Sequence, residues 1–276
     1  FDAATHAMTT LSTGGFSTSD RSMGAFAEGG ADIVATVFML MGSLPFGLYV
    51  LAVRGRAGRL FQDSQVRLLL AILAFTTLAL TLYLWIRDVH EPVEGVRLAA
   101  FNVVSIISTT GYATADYTLW GPAASGVFFG LLFLGGCAGS TSGGLKTFRL
   151  HIGGLALRSY VLSIARPHAT HRPHYNGQPV SDDEMSAVLS FLFLFLACFT
   201  LVAVYLSAIG LDVVTAISAA ATCIANVGPG LGAMIGPAGT FQQLPDSAKW
   251  ALDIAMIAGR LEVVTLLVVL TPGFWR

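Results

Sequence analysis

The stretch TTLSTGGFST, residues 9–18, sets two adjacent glycines among small hydroxyl residues inside an apolar chain. Such residues leave their backbone carbonyls unscreened, and glycine reaches backbone angles that other residues resist. A loop of this kind can turn several carbonyl oxygens toward one axis. A ring of such oxygens replaces the water around a dehydrated monovalent cation. The pattern recurs in SIISTTGYAT, residues 105–114. With Gly15 set on Gly111, Leu11 falls on Ile107, Ser12 on Ser108, Thr13 on Thr109, Phe16 on Tyr112 and Thr18 on Thr114. A looser third copy, CIANVGPGLG (223–232), centres on Gly228. Small-residue helix contacts of the GxxxG kind would explain one such motif. Matched copies, each after a short helix, point instead to a repeated architecture.

Composition says what must hold these loops. The chain has 276 residues, 54% of them hydrophobic and 11% charged, against about 25% charged in soluble domains. That is too little charge to clothe a soluble surface. Runs at 33–53, 68–86, 185–209 and 250–270 reach the roughly 20 residues that cross a bilayer. A fifth, from 123 to 134, runs into GGCAGSTSGGLK (135–146) and resumes weakly after Thr147. Between them, segments 2–11, 94–107 and 212–224 are too short to span. Each opens near an acidic residue, suits a re-entrant half-helix, and ends at a glycine motif. The half-helix also aims its partly negative C-terminal end at the loop axis.

The unit is therefore span, half-helix, glycine loop, span. Residues 1–62 read as a partial second unit, 63–165 as a third unit with a broken second span, and 166–276 as a cytoplasmic loop and a fourth unit. The expected fold is an all-α polytopic membrane protein with pseudo-fourfold symmetry around one pore, its first unit missing. The opening FDAATHAMTT begins in mid-pattern without methionine, so Phe1 is not expected to be the natural start.

Arginine and lysine set the orientation, because cytoplasmic loops collect them. Arg54, Arg56, Arg59 and Arg67 share one loop, Arg149, Arg158, Arg166 and Arg172 another, and Arg276 ends the chain. The other side holds only Arg21, Arg87, Arg97 and Lys249. The first group is expected in the cytoplasm, with the glycine loops opening outward. Cys137, Cys198 and Cys223 lie in apolar stretches and read as buried free thiols.

Glycines within the fifth span can unwind it into a movable loop from Gly135 to Gly144. Arg260 and Glu262 sit inside the last span, where a charge costs about 2.5–3.5 kcal/mol on insertion scales. Two residues apart, they do not share a helix face and are not expected to pair. Arg260 is the better candidate for function. It can stand in the pore and repel cations, or hold the glycine loop shut through its carbonyls. In the polar stretch 165–184, His168, His171 and His174 recur every three residues, but Pro167 and Pro173 break any regular ligand face, leaving a solvated loop. No catalytic set of paired acids, or of Ser with His or Lys, is read within the spans, so no enzyme is expected. No phosphate-binding glycine motif is present. Asp32, Asp116 and Asp253 fall near expected span ends, which disfavours coupled transport.

The motifs TTLSTGGFSTSD, STTGYATADY, CAGSTSGGLKTFR, NVGPGLG and GRLEVVTLLVVLTPGFWR, in that order, resemble the Trk/Ktr family of potassium uptake proteins, specifically its TrkH-like membrane subunit. The resemblance covers essentially the whole chain. It implies four span–half-helix–span units around a pore, in the bacterial inner membrane, and gated potassium uptake. Sodium- or proton-coupled symport is the alternative. It implies filter walls from Thr13, Gly14, Gly15, Thr109, Thr110, Gly111, Asn226, Val227 and Gly228, with Ser12 and Ser108 as the next carbonyl layer. Potassium would sit at Thr13, Thr109, Thr110, Asn226 and Val227. It implies a gate in the broken span, with Gly139, Gly143, Gly144 and Lys146, acting with Arg260 and Glu262. No cofactor is implied beyond transported K+. The implied partners are a second copy in a homodimer and a cytosolic nucleotide-binding regulatory ring of the TrkA/KtrA kind. That ring would dock on residues 54–59 and the long polar loop. The third wall is irregular, since Pro229 follows its glycine and Asn226 replaces a threonine.

Overall fold

The computed structural model describes residues 1–166 and 173–275. Thirteen α-helices are present among them. The first group is α1 (Asp2–Leu11), α2 (Ala31–Gly42), α3 (Phe46–Leu51) and α4 (Gly58–Gln62). The second is α5 (Ser64–Ile86), α6 (Pro92–Ile107), α7 (Pro122–Leu131) and α8 (Thr147–Ala165). The third is α9 (Asp182–Ala208), α10 (Val213–Ala225), α11 (Gly232–Ile235), α12 (Asp246–Arg260) and α13 (Val263–Leu270). Two short strand pairs interrupt the second and third groups. The strands β1 (Leu134–Gly135) and β2 (Leu145–Lys146) run parallel, with Leu134 opposite Leu145. The strands β3 (His174–Tyr175) and β4 (Gln178–Pro179) form an antiparallel hairpin.

Helices α5 and α9 have 23 and 27 residues. At about 1.5 Å per residue both exceed the ~30 Å hydrocarbon layer. Asp63 caps α5 by accepting the N–H groups of Gln65 and Val66. A reciprocal Ser181–Glu184 box starts α9. Their outer faces carry exposed Phe75, Leu78, Phe193 and Leu201, the apolar dress of a lipid-facing surface. The short helices are the inverse. Nearly the whole second half of α6 is buried, as is α10 from Ser218 to Ala225. A helix buried all round belongs to the core. Ala216, Ala219 and Ala220 are fully buried in the core shared by α10, α9 and α12; such small residues let helix backbones approach closely. The chain is an all-α multi-pass membrane protein.

Two expected spans are broken. The run 33–53 stops at Gly42 because Pro45 cannot supply the N–H that continued helix requires; a π-turn at Ala52–Arg56 then kinks the chain at Arg54 and Gly55. The run 250–270 begins earlier, at Asp246, and breaks at Leu261–Glu262, where Glu262 has φ +60°. The weak segment after Thr147 is instead a helix of 19 residues. Within the stretch expected as solvated loop, the described residues include the β3–β4 hairpin. Asn176 in the β3–β4 turn accepts from Ser64 N–H at 2.8 Å and donates to Asp63 Oδ2 at 2.9 Å, tying the hairpin to the start of α5. His168, His171 and Arg172 lie outside the described residues, as does Arg276. Cys137 and Cys223 are buried free thiols as expected, whereas Cys198 is half-buried.

Candidate ion-binding site

All three half-helices end in one way. The N–H groups of Thr13, Thr109 and Asn226 donate to the carbonyls three residues back, on Thr10, Ile106 and Cys223. The next N–H groups, of Gly14, Thr110 and Val227, reach back five, to Thr9, Ser105 and Thr222, at 2.7–2.9 Å. These are the two bonds of a Schellman cap. Its left-handed residue is normally glycine, but here it is Thr13 (φ +50°), Thr109 (φ +56°) and Asn226 (φ +56°). A left-handed L-residue costs roughly 1–2 kcal/mol, and strain of this kind clusters at functional sites. The sequence assigned the special backbone to the glycines alone; the strained residue two positions earlier was missed.

The glycines meet a different need. A Cβ on Gly15 would fall 1.7 Å from the Thr110 carbonyl oxygen, and one on Gly111 would fall 2.1 Å from that of Val227. Each loop is thus pressed against the backbone of the next. Gly228 has only Gly111 Cα nearby, at 3.8 Å. Gly14 is under no such pressure, its nearest outside neighbour being Ser12 Oγ at 3.2 Å.

Three further hydroxyls hold the loops, and sequence reading overlooked them. Thr9 Oγ1 donates to the Phe16 carbonyl at 2.9 Å, and Ser105 Oγ donates to that of Tyr112 at 2.6 Å. Thr222 Oγ1 accepts from Gly228 N–H at 2.9 Å. The repeat alignment that matches Gly15 with Gly111 also matches these three, so the signal was available. His6 bonds the Asp2 carbonyl at 2.7 Å and Ser17 Oγ at 3.0 Å, both beside the first loop.

One cavity of about 640 Å³ gathers Ser12, Thr13, Gly14 and Gly15 with Thr109, Thr110 and Gly111, and with Asn226, Val227 and Gly228. Ser108 is not among its lining. It is buried, and its hydroxyl instead meets Thr110 Oγ1 at 2.8 Å and the Ser105 carbonyl at 3.2 Å. Its part is to stiffen the cap, because the helix end turns it inward. The remaining wall comes from α12, through Lys249, Asp253, Met256 and Arg260. Asp253 therefore faces this cavity rather than a span end. Asp32 is buried, 2% exposed, and paired with Arg97 Nε at 2.7 Å. Asp116 caps the turn Tyr117–Trp120 through Thr118 N–H.

The interrupted span passes beneath all three helix ends. Thr141 Oγ1 donates toward the Leu11 carbonyl at 3.3 Å, Gly143 N–H donates to Thr109 Oγ1 at 2.6 Å, and a Cβ on Gly143 would lie 2.8 Å from the Ala225 carbonyl. The segment's other end is tied to the α2–α3 break, where Cys137 N–H donates to the Ser43 carbonyl at 2.8 Å. A second cavity, of about 250 Å³, brings together Gly143, Gly144, Lys146, Arg260 and Glu262. Gly139 is not part of it. It lies at the exposed tip, φ +77°, with its carbonyl accepting from Phe46 N–H.

Lys146 Nζ donates to the Ser142 carbonyl, closing the segment on itself. Arg260 lines both cavities. Glu262 does not pair with it, and the helix breaks between them; Arg149 Nη2 meets Glu262 Oε2 at 2.7 Å while the guanidinium stacks 3.8 Å from the Phe191 ring centre. Gly259 lets α12 approach, since a Cβ there would fall 1.9 Å from the Ile224 carbonyl.

Short helices whose end loops meet around one cavity, with an unwound segment touching all three helix ends, give this multi-pass membrane protein one shared site. A family model described as TrkH, cation transport protein, matches residues 1–273, and the chain belongs to that family. The Trk system potassium uptake protein TrkI of Halomonas elongata is 48% identical over 277 residues, covering 100% of this chain and 56% of that protein. TrkH of Escherichia coli K12 is 31% identical over 278 residues, covering 100% of this chain and 57% of that protein. The crystal structure of the potassium transporter TrkH from Vibrio parahaemolyticus superposes with a TM-score of 0.91 at 32% identity, over 100% of this chain and 59% of that one. The chain thus spans a little over half the length of the relatives it matches.

Proposed function

We propose that this chain supplies three walls of a potassium-selective, gated pore for K+ uptake. The observation that carries this is the shared end of the three half-helices: three loops with the same cap, pressed glycine to carbonyl around one cavity. Backbone oxygens from Thr13, Thr109, Thr110, Asn226 and Val227 would replace the ion's hydration shell, with half-helix C-termini adding negative potential. Gly228, whose one near neighbour is Gly111 Cα at 3.8 Å, would leave room for a fourth loop of the same kind from the longer protein. The unwound segment at Gly143 and Gly144, with Lys146, Arg260 and Glu262, would be the gate below the filter.

The three-unit division at residues 62–63 and 165–166 follows from the same repeat. In this reading the loops open outward from the bacterial inner membrane and the chain end lies in the cytoplasm. The longer protein pairs as a homodimer, and a cytosolic nucleotide-binding ring docks on residues 54–59 and the hairpin tied to Asp63. This reading rests on the arginine distribution and on family membership.

Asp253 favours a second reading, since a carboxylate on the cavity wall is a group that Na+- or H+-coupled symport would use. Cation flux into proteoliposomes holding the longer protein separates them. Flux following the K+ electrochemical gradient, with K+ and Rb+ preferred over Na+ and Li+, supports the pore. Flux that demands a second ion's gradient supports symport, and absence of cation flux refutes both.

A further inference from the structure

The joints between adjacent loops are not alike. At the position after the central glycine the three loops carry Phe16, Tyr112 and Pro229. Tyr112 is fully buried, and its hydroxyl crosses to the first loop, where it meets Thr9 Oγ1. Thr9 Oγ1 also lies 2.9 Å from the Phe16 carbonyl and 3.0 Å from that of Thr5, and the tyrosine hydroxyl lies 3.4 Å from the Phe16 carbonyl. Whichever hydroxyl donates, the Tyr112–Thr9 bond joins the second loop to the first half-helix and, through the Phe16 carbonyl, to the backbone of the first loop. The tyrosine's own carbonyl is held by Ser105 Oγ at 2.6 Å. Both ends of the bridge are thus fixed to half-helices. The next joint has no such bond. There Pro229 packs against the Gly111 backbone, its Cδ lying 3.1 Å from where a glycine Cβ would be.

We propose that Tyr112 is a positioning residue for ion discrimination: through Thr9 it fixes the separation of the first and second loops, so that their carbonyls cannot draw inward around the smaller Na+ ion. This rests on the pore reading above. A wall held by hydrogen bonds at both ends resists the contraction that Na+ coordination demands, whereas a wall held by packing contacts yields to it.

The test uses the longer protein in proteoliposomes and reads the Rb+/Na+ flux ratio together with total Rb+ flux. Tyr112→Phe keeps the ring in its buried seat and removes the hydroxyl, with its bridge to Thr9 and its 3.4 Å contact with the Phe16 carbonyl. It is expected to lower the ratio about fivefold, the weight of one neutral hydrogen bond, with total flux retained. Thr9→Ser keeps both bonds and is expected to keep the wild-type ratio. Thr9→Val removes both, so adding Tyr112→Phe to it should lower the ratio no further. A wild-type ratio in Tyr112→Phe overturns the inference while leaving the pore reading intact. So does an additive double variant, or a loss in Thr9→Ser equal to that in Thr9→Val. A wild-type protein that conducts without discriminating overturns the filter reading and this inference with it.

Discussion

Gly111→Ala tests the contact between loops most directly. The new methyl carbon would start 2.1 Å from the Val227 carbonyl oxygen. Non-bonded heavy atoms rest about 3.5 Å apart, so the two loops would have to part by roughly 1.4 Å. The residue also has φ +81°, where an L side chain costs about 1–2 kcal/mol. Overpacking of a tight site adds about 1–3 kcal/mol. The native loop conformation is therefore destabilised by about 2–5 kcal/mol. Even the lower figure reduces its population roughly 25-fold.

The expected readout in proteoliposomes holding the longer protein is a collapse of K+ over Na+ discrimination. Gly14→Ala is the control. Its φ is ordinary, its nearest outside neighbour is a serine hydroxyl at 3.2 Å, and the matching positions already carry Thr110 and Val227. Gly14→Ala should discriminate as the wild type does. A wild-type flux ratio in Gly111→Ala, or equal losses in both variants, would refute the claim that glycine is there to admit the neighbouring carbonyl.

Arg260→Ala should raise resting cation flux, because it removes the one side chain shared by the loop cavity and the cavity of the unwound segment; unchanged flux in the longer protein removes Arg260 from the proposed gate. Asp32→Asn should lower detergent-solubilised stability by about 1.5–3 kcal/mol, the range for charged hydrogen bonds. It stays below the figure for a fully buried pair because Arg97 is 41% exposed; an unshifted thermal transition would show that the pair contributes nothing. Asp212 caps α10 by accepting from Thr215 N–H at 3.0 Å, which holds its carboxyl below the ordinary 3.8. A depressed folded pKa gives stability that is present above the unfolded value of about 3.9 and lost as pH falls through the lowered one. Asp212→Asn keeps a capping oxygen but cannot titrate, so its acid-side loss of stability between pH 5 and 3 should be shallower than wild type; equal acid limbs would contradict the assignment.

What the sequence settled by itself was local and periodic. Three glycine motifs at matched spacing announced three like loops, because a repeated backbone conformation demands the same small residues each time. Short apolar segments ahead of them announced half-helices, because length alone separates them from α5 and α9. The Gly135–Gly144 interruption was legible for the same reason, whereas Arg260 and Glu262 fail to pair across a break in the helix and not through the helical spacing expected. Pro45 was also readable as a breaker of the first expected span, yet the apolar run around it masked the signal. Glu262 carried no such sign, and its left-handed backbone follows from how α12 and α13 pack.

The tertiary structure decided the partners. Tyr112 finds Thr9, Arg149 finds Glu262, Arg97 finds Asp32 and Gly143 finds Thr109 across separations of 103, 113, 65 and 34 residues. It also decided that Ser108 lies outside the cavity lining, that Gly139 is exposed, and that Asp253 lines the same cavity as the three loops. Side-chain direction at such points is set by where neighbouring helices lie, and helix placement is a property of the packed whole. Likewise, a threonine or asparagine at the left-handed cap position is strained in isolation. The cap bonds, the loop hydroxyls and the adjoining loops, wedged glycine against carbonyl, together hold it there.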